Sequence, residues 1–281
     1  MRMLFPEPER IWGGGIGECL IEETVLIKEE LNMGKKRCTA VVLAAGSGKR
    51  MRSGTAKQFM TLGDRPILWY SLQAVERSAV IDDCVLVTGE KDIPYVRQEI
   101  LERYGFRKVS AVIAGGRERY ESVWNALRAM AEGCLAEPNA DGYVFIHDGA
   151  RPFLTEALLE STYQAACRYR ACVAAVPVKD TIKVADSQGF VARTPDRSRL
   201  WAVQTPQVFE TALITRAYEK LIARLEKGEA LPVTDDAMVM EEMAGIPVRL
   251  VESSYRNIKI TTPEDVRTAE SLLQEDLPEG K

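Results

Sequence analysis

The sequence is poor in the side chains that most often carry soft-metal or nucleophilic chemistry. It has one histidine, His147, and no Cys-x-x-Cys pair among its six cysteines. The first scarcity leaves little room for a histidine-based triad, and the second argues against structural zinc. Cys19, Cys38, Cys84, Cys134, Cys167 and Cys172 are scattered, several in apolar strand or helix patterns. That suits reduced, buried thiols better than a disulfide framework. No apolar run approaches transmembrane length, and Glu7, Glu9, Arg10 and Glu18 interrupt the segment where a signal peptide needs an apolar core. A cytoplasmic protein without membrane contact is expected. The net charge of −4 argues against a role in coating nucleic acid.

Two familiar glycine loops are also missing. A Walker loop ending at Gly48-Lys49 would need glycine at Leu43 and serine or threonine at Arg50. A dinucleotide fingerprint starting at Gly46 would need its third glycine at Met51. What stands there instead is Val41-Val42-Leu43-Ala44-Ala45-Gly46-Ser47-Gly48-Lys49-Arg50-Met51, an apolar run that turns abruptly into small residues and then cations. It reads as a buried strand emptying into a phosphate-cradling loop, with Lys57 adding a further charge after a polar linker. Read alone, it leaves open a blander alternative, a solvated glycine turn with surface cations.

The length of 281 residues, with 46% hydrophobic and 28% charged, fits one large α/β domain with appendages. Residues 1–37 lack a core pattern and read as a poorly ordered extension, with Met33 an alternative initiator. Strand and helix patterns then alternate: strand Thr39–Leu43, helix Ile67–Arg77, strand Cys84–Val87, helix Pro94–Tyr104, strand Val109–Ile113, helix Glu121–Ala131, strand Tyr143–Ile146, helix Glu156–Tyr169 and strand Cys172–Val176. This alternation implies a mostly parallel sheet covered on both faces, with ligands beyond the carboxyl ends of the strands.

Between Thr181 and Arg193 the rhythm becomes a hairpin turning at Asp186-Ser187-Gln188-Gly189. A lone hairpin is marginal in water, so a second subunit is its expected partner. The chain resumes with helix Ala212–Glu226, a helix Asp235–Met243 capped by Thr234, strands Val248–Val251 and Ile258–Ile260, and a closing helix started by Thr262-Pro263.

Five further segments carry polar residues that structure alone does not demand. They are GGRERYESV (115–123), IHDGARP (146–152), VPVKDTIK (176–183), LWAVQTPQ (200–207) and NIKIT (257–261). Together with LAAGSGKRM and Lys57-Gln58-Phe59, in this order, they resemble the 2-C-methyl-D-erythritol 4-phosphate cytidylyltransferase family from about Thr39 to Leu273. Departures are mild: Lys49 stands where many members have arginine, and Gly149 where alanine is common. The resemblance implies a Rossmann-like three-layer nucleotidyltransferase domain over 38–276, a β-hairpin dimerisation arm at 178–204 and a tail at 277–281. It implies transfer of CMP from CTP to methylerythritol phosphate, with Mg²⁺ as cofactor. A ribitol 5-phosphate cytidylyltransferase is the alternative, since that family shares the glycine loop, Lys-Gln-Phe and Thr-Pro-Gln.

By the same resemblance Arg50 and Lys57 are transition-state stabilisers, and Ala44, Ala45, Gly46, Gly48 and Lys49 cradle the nucleotide. Gly116 and Ser122 read cytosine, Asp148 is the metal and ribose-side acid, and Gly149 beside it also contacts substrate. Arg151, Thr181, Arg197, Thr205 and Lys259 hold the acceptor, Arg197 and Lys259 at its phosphate and Arg197 from across a homodimer interface. Thr234 either touches substrate or only caps its helix. His147 should be structural, because neighbouring side chains on a strand point to opposite faces.

Overall fold

The computed structural model describes residues 34–46 and 57–275. Gly48, Lys49 and Arg50, most of the 1–37 extension and the 277–281 tail lie outside the described residues. The apolar runs form a strand β1 (Cys38–Ala44), then a short ribbon of β2 (Thr61–Leu62) and β3 (Arg65–Pro66), helix α1 (Ile67–Arg77) and β4 (Asp83–Thr88). Next comes a helix that starts at the single turn Glu90–Asp92, continues through α2 (Ile93–Tyr95) and ends in wider winding over Val96–Glu102. It begins earlier than the expected Pro94 because proline fits the first turn of a helix better than its interior.

Then follow β5 (Val109–Ala114), α3 (Arg119–Ala131), β6 (Tyr143–Asp148), α4 (Glu156–Tyr169), β7 (Ala171–Pro177), the hairpin of β8 (Val184–Ala185) and β9 (Val191–Arg193), β10 (Trp201–Glu210) and α5 (Thr211–Glu226). The chain closes with α6 (Asp236–Val239), its wider-wound continuation Met240–Ala244, β11 (Arg249–Glu252) and α7 (Pro263–Glu275).

The seven-stranded sheet runs β11-β7-β10-β6-β1-β4-β5 and is parallel except for β10. Alternation along the strands feeds two apolar layers. Val42, Leu86 and Phe145 pack under α1 and α4, while Val41, Val85 and Ile146 pack under α3 and α5. Each such aliphatic side chain, fully buried, stabilises the domain by about 1.5–3 kcal/mol. The result is the expected three-layer Rossmann-like fold.

Several expectations are corrected. Trp201–Glu210, read only as a polar motif, is a ten-residue strand inserted antiparallel between β6 and β7. Its register shifts between Val203 and Gln207, which lets Pro206 stand inside a ladder where it has no N–H to donate. Ile258–Ile260 is no strand; it is extended chain tied down by the Ile260 N–H donating to the Ala150 carbonyl at 2.9 Å. The cap of α6 is Asp235, whose carboxylate accepts from Met238 N–H at 3.0 Å, rather than Thr234, whose hydroxyl lies 3.5 Å from the Met238 sulfur. The hairpin ladder is shorter than expected, leaving Thr181–Lys183 outside it.

Candidate active site

The strand registers bring the site together. Leu43 at the end of β1 is level with Asp148 at the end of β6, and Ala44 with Thr88 at the end of β4, which is level with Ala114 of β5. The carboxyl ends of four parallel strands therefore form one ledge. A cavity of about 560 Å³ opens on it, lined by Leu43–Gly46, Lys57, Gly116, Arg119, Ser122, Asp148 and Lys259 among others. A second, of about 380 Å³, is lined by Arg151, Val203–Thr205, Gln207, Thr234 and Asp235. Arg119, Asp148 and Lys259 line both, so the two spaces share one charged wall.

Close backbone approach shapes the first cavity. A Cβ at Gly115 would overlap Ala45 Cβ and Ser122 Oγ, and one at Gly116 would overlap the Glu121 side chain. Helix α3 can thus start against the ledge, with the Glu121 carboxylate accepting from the Glu118 N–H at 3.2 Å. Ser122 Oγ accepts from Gly116 N–H at 3.1 Å, so these two expected base readers form one unit. Gly149 is confined by Leu68, Val42 and the Leu43 carbonyl, which also accepts from its N–H at 2.9 Å. A side chain there would press on the ledge from beneath.

Asp148 is the electrostatic centre. Its carboxylate accepts from Lys259 Nζ at 2.6 Å and from Arg119 Nε at 3.4 Å, and Arg151 Nε stands 3.9 Å away. Burial alone would raise its pKa, but Arg119, Lys259 and Arg151 outweigh that and hold the carboxyl well below the ordinary carboxylate range. The loop bearing Lys259 is locked in turn by Asn257, a buried residue absent from the sequence-based site. Its side-chain Nδ2 donates to the Thr205 carbonyl at 2.8 Å, and its backbone carbonyl accepts from Arg151 Nη1 at 2.7 Å.

His147 lines neither cavity. Its ring is buried, with Nε2 donating to the Arg151 carbonyl at 3.2 Å and Nδ1 accepting from the Thr205 hydroxyl at 3.0 Å. The same hydroxyl accepts from the Asp148 N–H at 3.1 Å, so Thr205 works as a strut between β10 and β6. Burial pushes the His147 pKa down to about 4, leaving the ring neutral at physiological pH.

Of the sequence-predicted residues that are described, Ala44, Ala45, Gly46, Lys57, Gly116, Ser122, Asp148, Arg151, Thr205, Thr234 and Lys259 line one or both cavities. Gly149, packed beneath the ledge, does not. Arg197 and Thr181 also line neither. They are exposed at the root of the arm, where Arg197 Nη1 donates to the Lys179 carbonyl at 2.8 Å. Arg119 was missed by sequence reasoning, although it lies inside the quoted GGRERYESV segment. Asp236, which holds it through Nη1 at 2.9 Å and Nη2 at 2.7 Å, was likewise not singled out.

A three-layer α/β domain with two cavities sharing a cationic wall at the carboxyl ends of its strands has the architecture of a nucleotidyltransferase. Within that class, the model of one family, IspD or 2-C-methyl-D-erythritol 4-phosphate cytidylyltransferase, matches residues 38–275, and the chain belongs to this family. It is 46% identical over 236 residues to the Lachnospira eligens enzyme of that name, covering 84% of this chain and 99% of the relative. The Geobacter metallireducens relative is 44% identical, with 85% and 98% covered. Among solved structures, a 4-diphosphocytidyl-2C-methyl-D-erythritol synthase from Anaerococcus prevotii superposes with a TM-score of 0.72 at 33% identity, covering 85% of this chain and 97% of that one.

Proposed function

We propose that this protein transfers CMP from CTP to the phosphate of 2-C-methyl-D-erythritol 4-phosphate, releasing pyrophosphate and 4-diphosphocytidyl-2-C-methyl-D-erythritol. The observation that carries the reading is the pair of cavities divided by Arg119, Asp148 and Lys259. One space takes the nucleotide against the β1 ledge and the other takes the acceptor.

A phosphomonoester has a second pKa of about 6, so the attacking phosphate is already mostly dianionic and needs no general base. A phosphate oxygen bonds to the α-phosphorus while the bond to the bridging α–β oxygen breaks, and pyrophosphate leaves with that electron pair. The protein's work is to hold two mutually repelling anions in line and to stabilise charge on the pentacoordinate phosphorus. In this reading Lys57 and Arg50 supply that stabilisation. Ala44, Ala45, Gly46, Gly48 and Lys49 cradle the triphosphate, and the Gly116–Ser122 unit reads the base. Arg151, Thr205 and Lys259 face the acceptor, joined by the Thr234 hydroxyl. His147 takes no part, because both ring nitrogens are committed.

Mg²⁺ prefers one or two carboxylate oxygens completed by phosphate oxygens and water. Among the described residues no cluster of three ligating side chains exists. Asp148 alone fits the open kind of site. It stays ionised, and its Oδ1 faces only the 3.4 Å contact from Arg119 while Lys259 occupies Oδ2. Bound there, the ion would neutralise phosphate charge and polarise the α-phosphorus.

The proposal includes a homodimer and a cytoplasmic setting. Phe190 and Val191 on the arm are 69% and 61% exposed, a cost that a second copy would remove. No helix among the described residues is long and apolar enough to cross a membrane. If each site uses its own Lys57 and the neighbour's Arg197, a mixed dimer of Lys57→Ala and Arg197→Ala chains has one site with both lesions and one with none. About half the dimers are mixed after random exchange, so roughly a quarter of sites recover. Activity that does not rise after exchange verified by mass would refute the shared site.

The reaction itself is tested by incubating the protein with CTP and Mg²⁺ and either methylerythritol phosphate or ribitol 5-phosphate, following pyrophosphate release. A clear preference for methylerythritol phosphate is expected; preference for ribitol phosphate would overturn the assignment.

A further inference from the structure

The Arg119 guanidinium is shared unequally between two carboxylates. Its fork goes to Asp236, Nη1 to Oδ1 at 2.9 Å and Nη2 to Oδ2 at 2.7 Å, whereas only the Nε edge reaches Asp148, at 3.4 Å. Asp236 is fully buried and lines neither cavity. Its Oδ1 also accepts from Tyr218 Oη at 2.6 Å, and its backbone N–H donates to Gln207 Oε1 at 3.0 Å. The carboxylate is therefore fixed from α5 and its backbone from β10 before it meets Arg119, the first residue of α3.

We propose that Asp236 is a positioning residue for nucleotidyl transfer: from outside both cavities it captures the Arg119 fork and keeps it off Asp148. Two parallel N–H···O bonds are the strongest geometry an arginine offers a carboxylate, so whichever acid holds the fork sets where the cation points. With Asp236 ionised, Arg119 presents an edge to the shared wall and Asp148 Oδ1 is left without a short ion pair. Without that charge, the fork is drawn to Asp148, the nearest remaining anion. Asp148 would then be saturated by Arg119 and Lys259 together, and the wall between the cavities would close. The inference rests on the reading of the larger cavity as the nucleotide site.

The alternative is that Asp236 only ties α6 to its neighbours. A double-mutant cycle separates the two. Asp236→Asn, which keeps size and removes charge, is expected to lower kcat/KM at least tenfold and to weaken CTP binding by calorimetry at least threefold. In an Arg119→Ala background the same substitution should change either quantity less than twofold. Tyr218→Phe removes one bond to Asp236 but leaves the fork, and should lower the melting temperature while kcat/KM stays within twofold. Additive losses in the cycle, or a folded Asp236→Asn protein with normal kinetics, would overturn the proposal. Should Asp236→Asn fail to fold, Asp236→Glu replaces it in the cycle. Its carboxylate is displaced by one methylene, and the same non-additivity is required. Wild-type protein is assayed alongside. Absence of CTP-dependent pyrophosphate release there sinks the function and this inference with it, whereas release with an additive cycle sinks the inference alone.

Discussion

The two ends of the sheet are built from the same components and do different things. At the amino end, β4 begins with Asp83, a buried carboxylate that accepts from Arg37 Nε at 2.9 Å, while Arg37 Nη1 reaches Glu137 at 2.6 Å. One arginine meets its acids, and Asn139 closes the rim by donating to Thr39 Oγ1 at 2.7 Å and the Tyr143 carbonyl at 3.0 Å. At the carboxyl end, β6 finishes with Asp148, one carboxylate facing Lys259, Arg119 and Arg151. Counting Asp236 there are still more cations than acids, and the cluster opens into a cavity. An arginine already held by two acids adds stability and has no further capacity. An unbalanced, open cluster carries self-repulsion in the empty protein, and an arriving triphosphate relieves it.

The largest expected effect comes from removing charge at the open end. Lys57→Ala should cut turnover by at least ~10²-fold, about 2.7 kcal/mol of transition-state stabilisation, with little change in melting temperature. Arg50→Ala should behave alike. Steady-state pyrophosphate release and thermal unfolding on the same samples check both, and near-normal turnover in Lys57→Ala would remove that lysine from the chemistry.

The opposite pattern is expected at the closed end. Arg37→Ala leaves the buried Asp83 without its main partner, but the arginine is itself partly exposed, so the loss is discounted to about 2 kcal/mol. For a domain of this size that is about 4–8 °C in melting temperature. Turnover below the melting range should stay within twofold of wild type. A drop in kcat comparable to that of Lys57→Ala would erase the distinction between the two ends.

Much of the frame that makes this contrast was legible in the sequence, for local reasons. Helices Ile67–Arg77 and Glu156–Tyr169 were bounded correctly because their apolar spacing and flanking residues are unambiguous, Thr155 capping the second by accepting from Leu158 N–H at 3.3 Å. The parallel strands announced themselves as continuous apolar runs covered on both faces. Trp201–Glu210 did not, because Gln204, Pro206 and Gln207 interrupt its pattern; the structure buries them where Gln207 can serve α6. At the site, many of the residues named from motifs line the two cavities. Arg119 was missed inside one of those motifs and so was its partner Asp236, since the two are separated by 117 positions and neither local pattern demands the other. Arg197 and Thr181, also named from motifs, stand exposed on the arm and line neither cavity.

The smallest effect concerns the one group at the open end that stands outside its charge cluster. His147 follows Ile146 and precedes Asp148, yet it is buried, and its pKa falls to about 4 from an ordinary 6.5. The sign follows from linkage: between those two values the unfolded chain binds a proton that the folded chain does not, so stability falls as pH drops below about 6.5 and the loss levels off near 4. Going from about pH 7.5 to about pH 5.5 should cost about 1 kcal/mol, a few degrees in melting temperature. The window is clean because His147 is the only histidine in the chain and carboxylates titrate lower. His147→Gln should flatten this slope, because its amide can donate to the Arg151 carbonyl and accept from Thr205 without a proton to gain. Turnover at neutral pH should change little beside the Lys57→Ala loss. If the slope persists in His147→Gln, another group carries it. If turnover collapses while the fold is intact, the histidine belongs with the charged wall and the division drawn at Asp148 is misplaced.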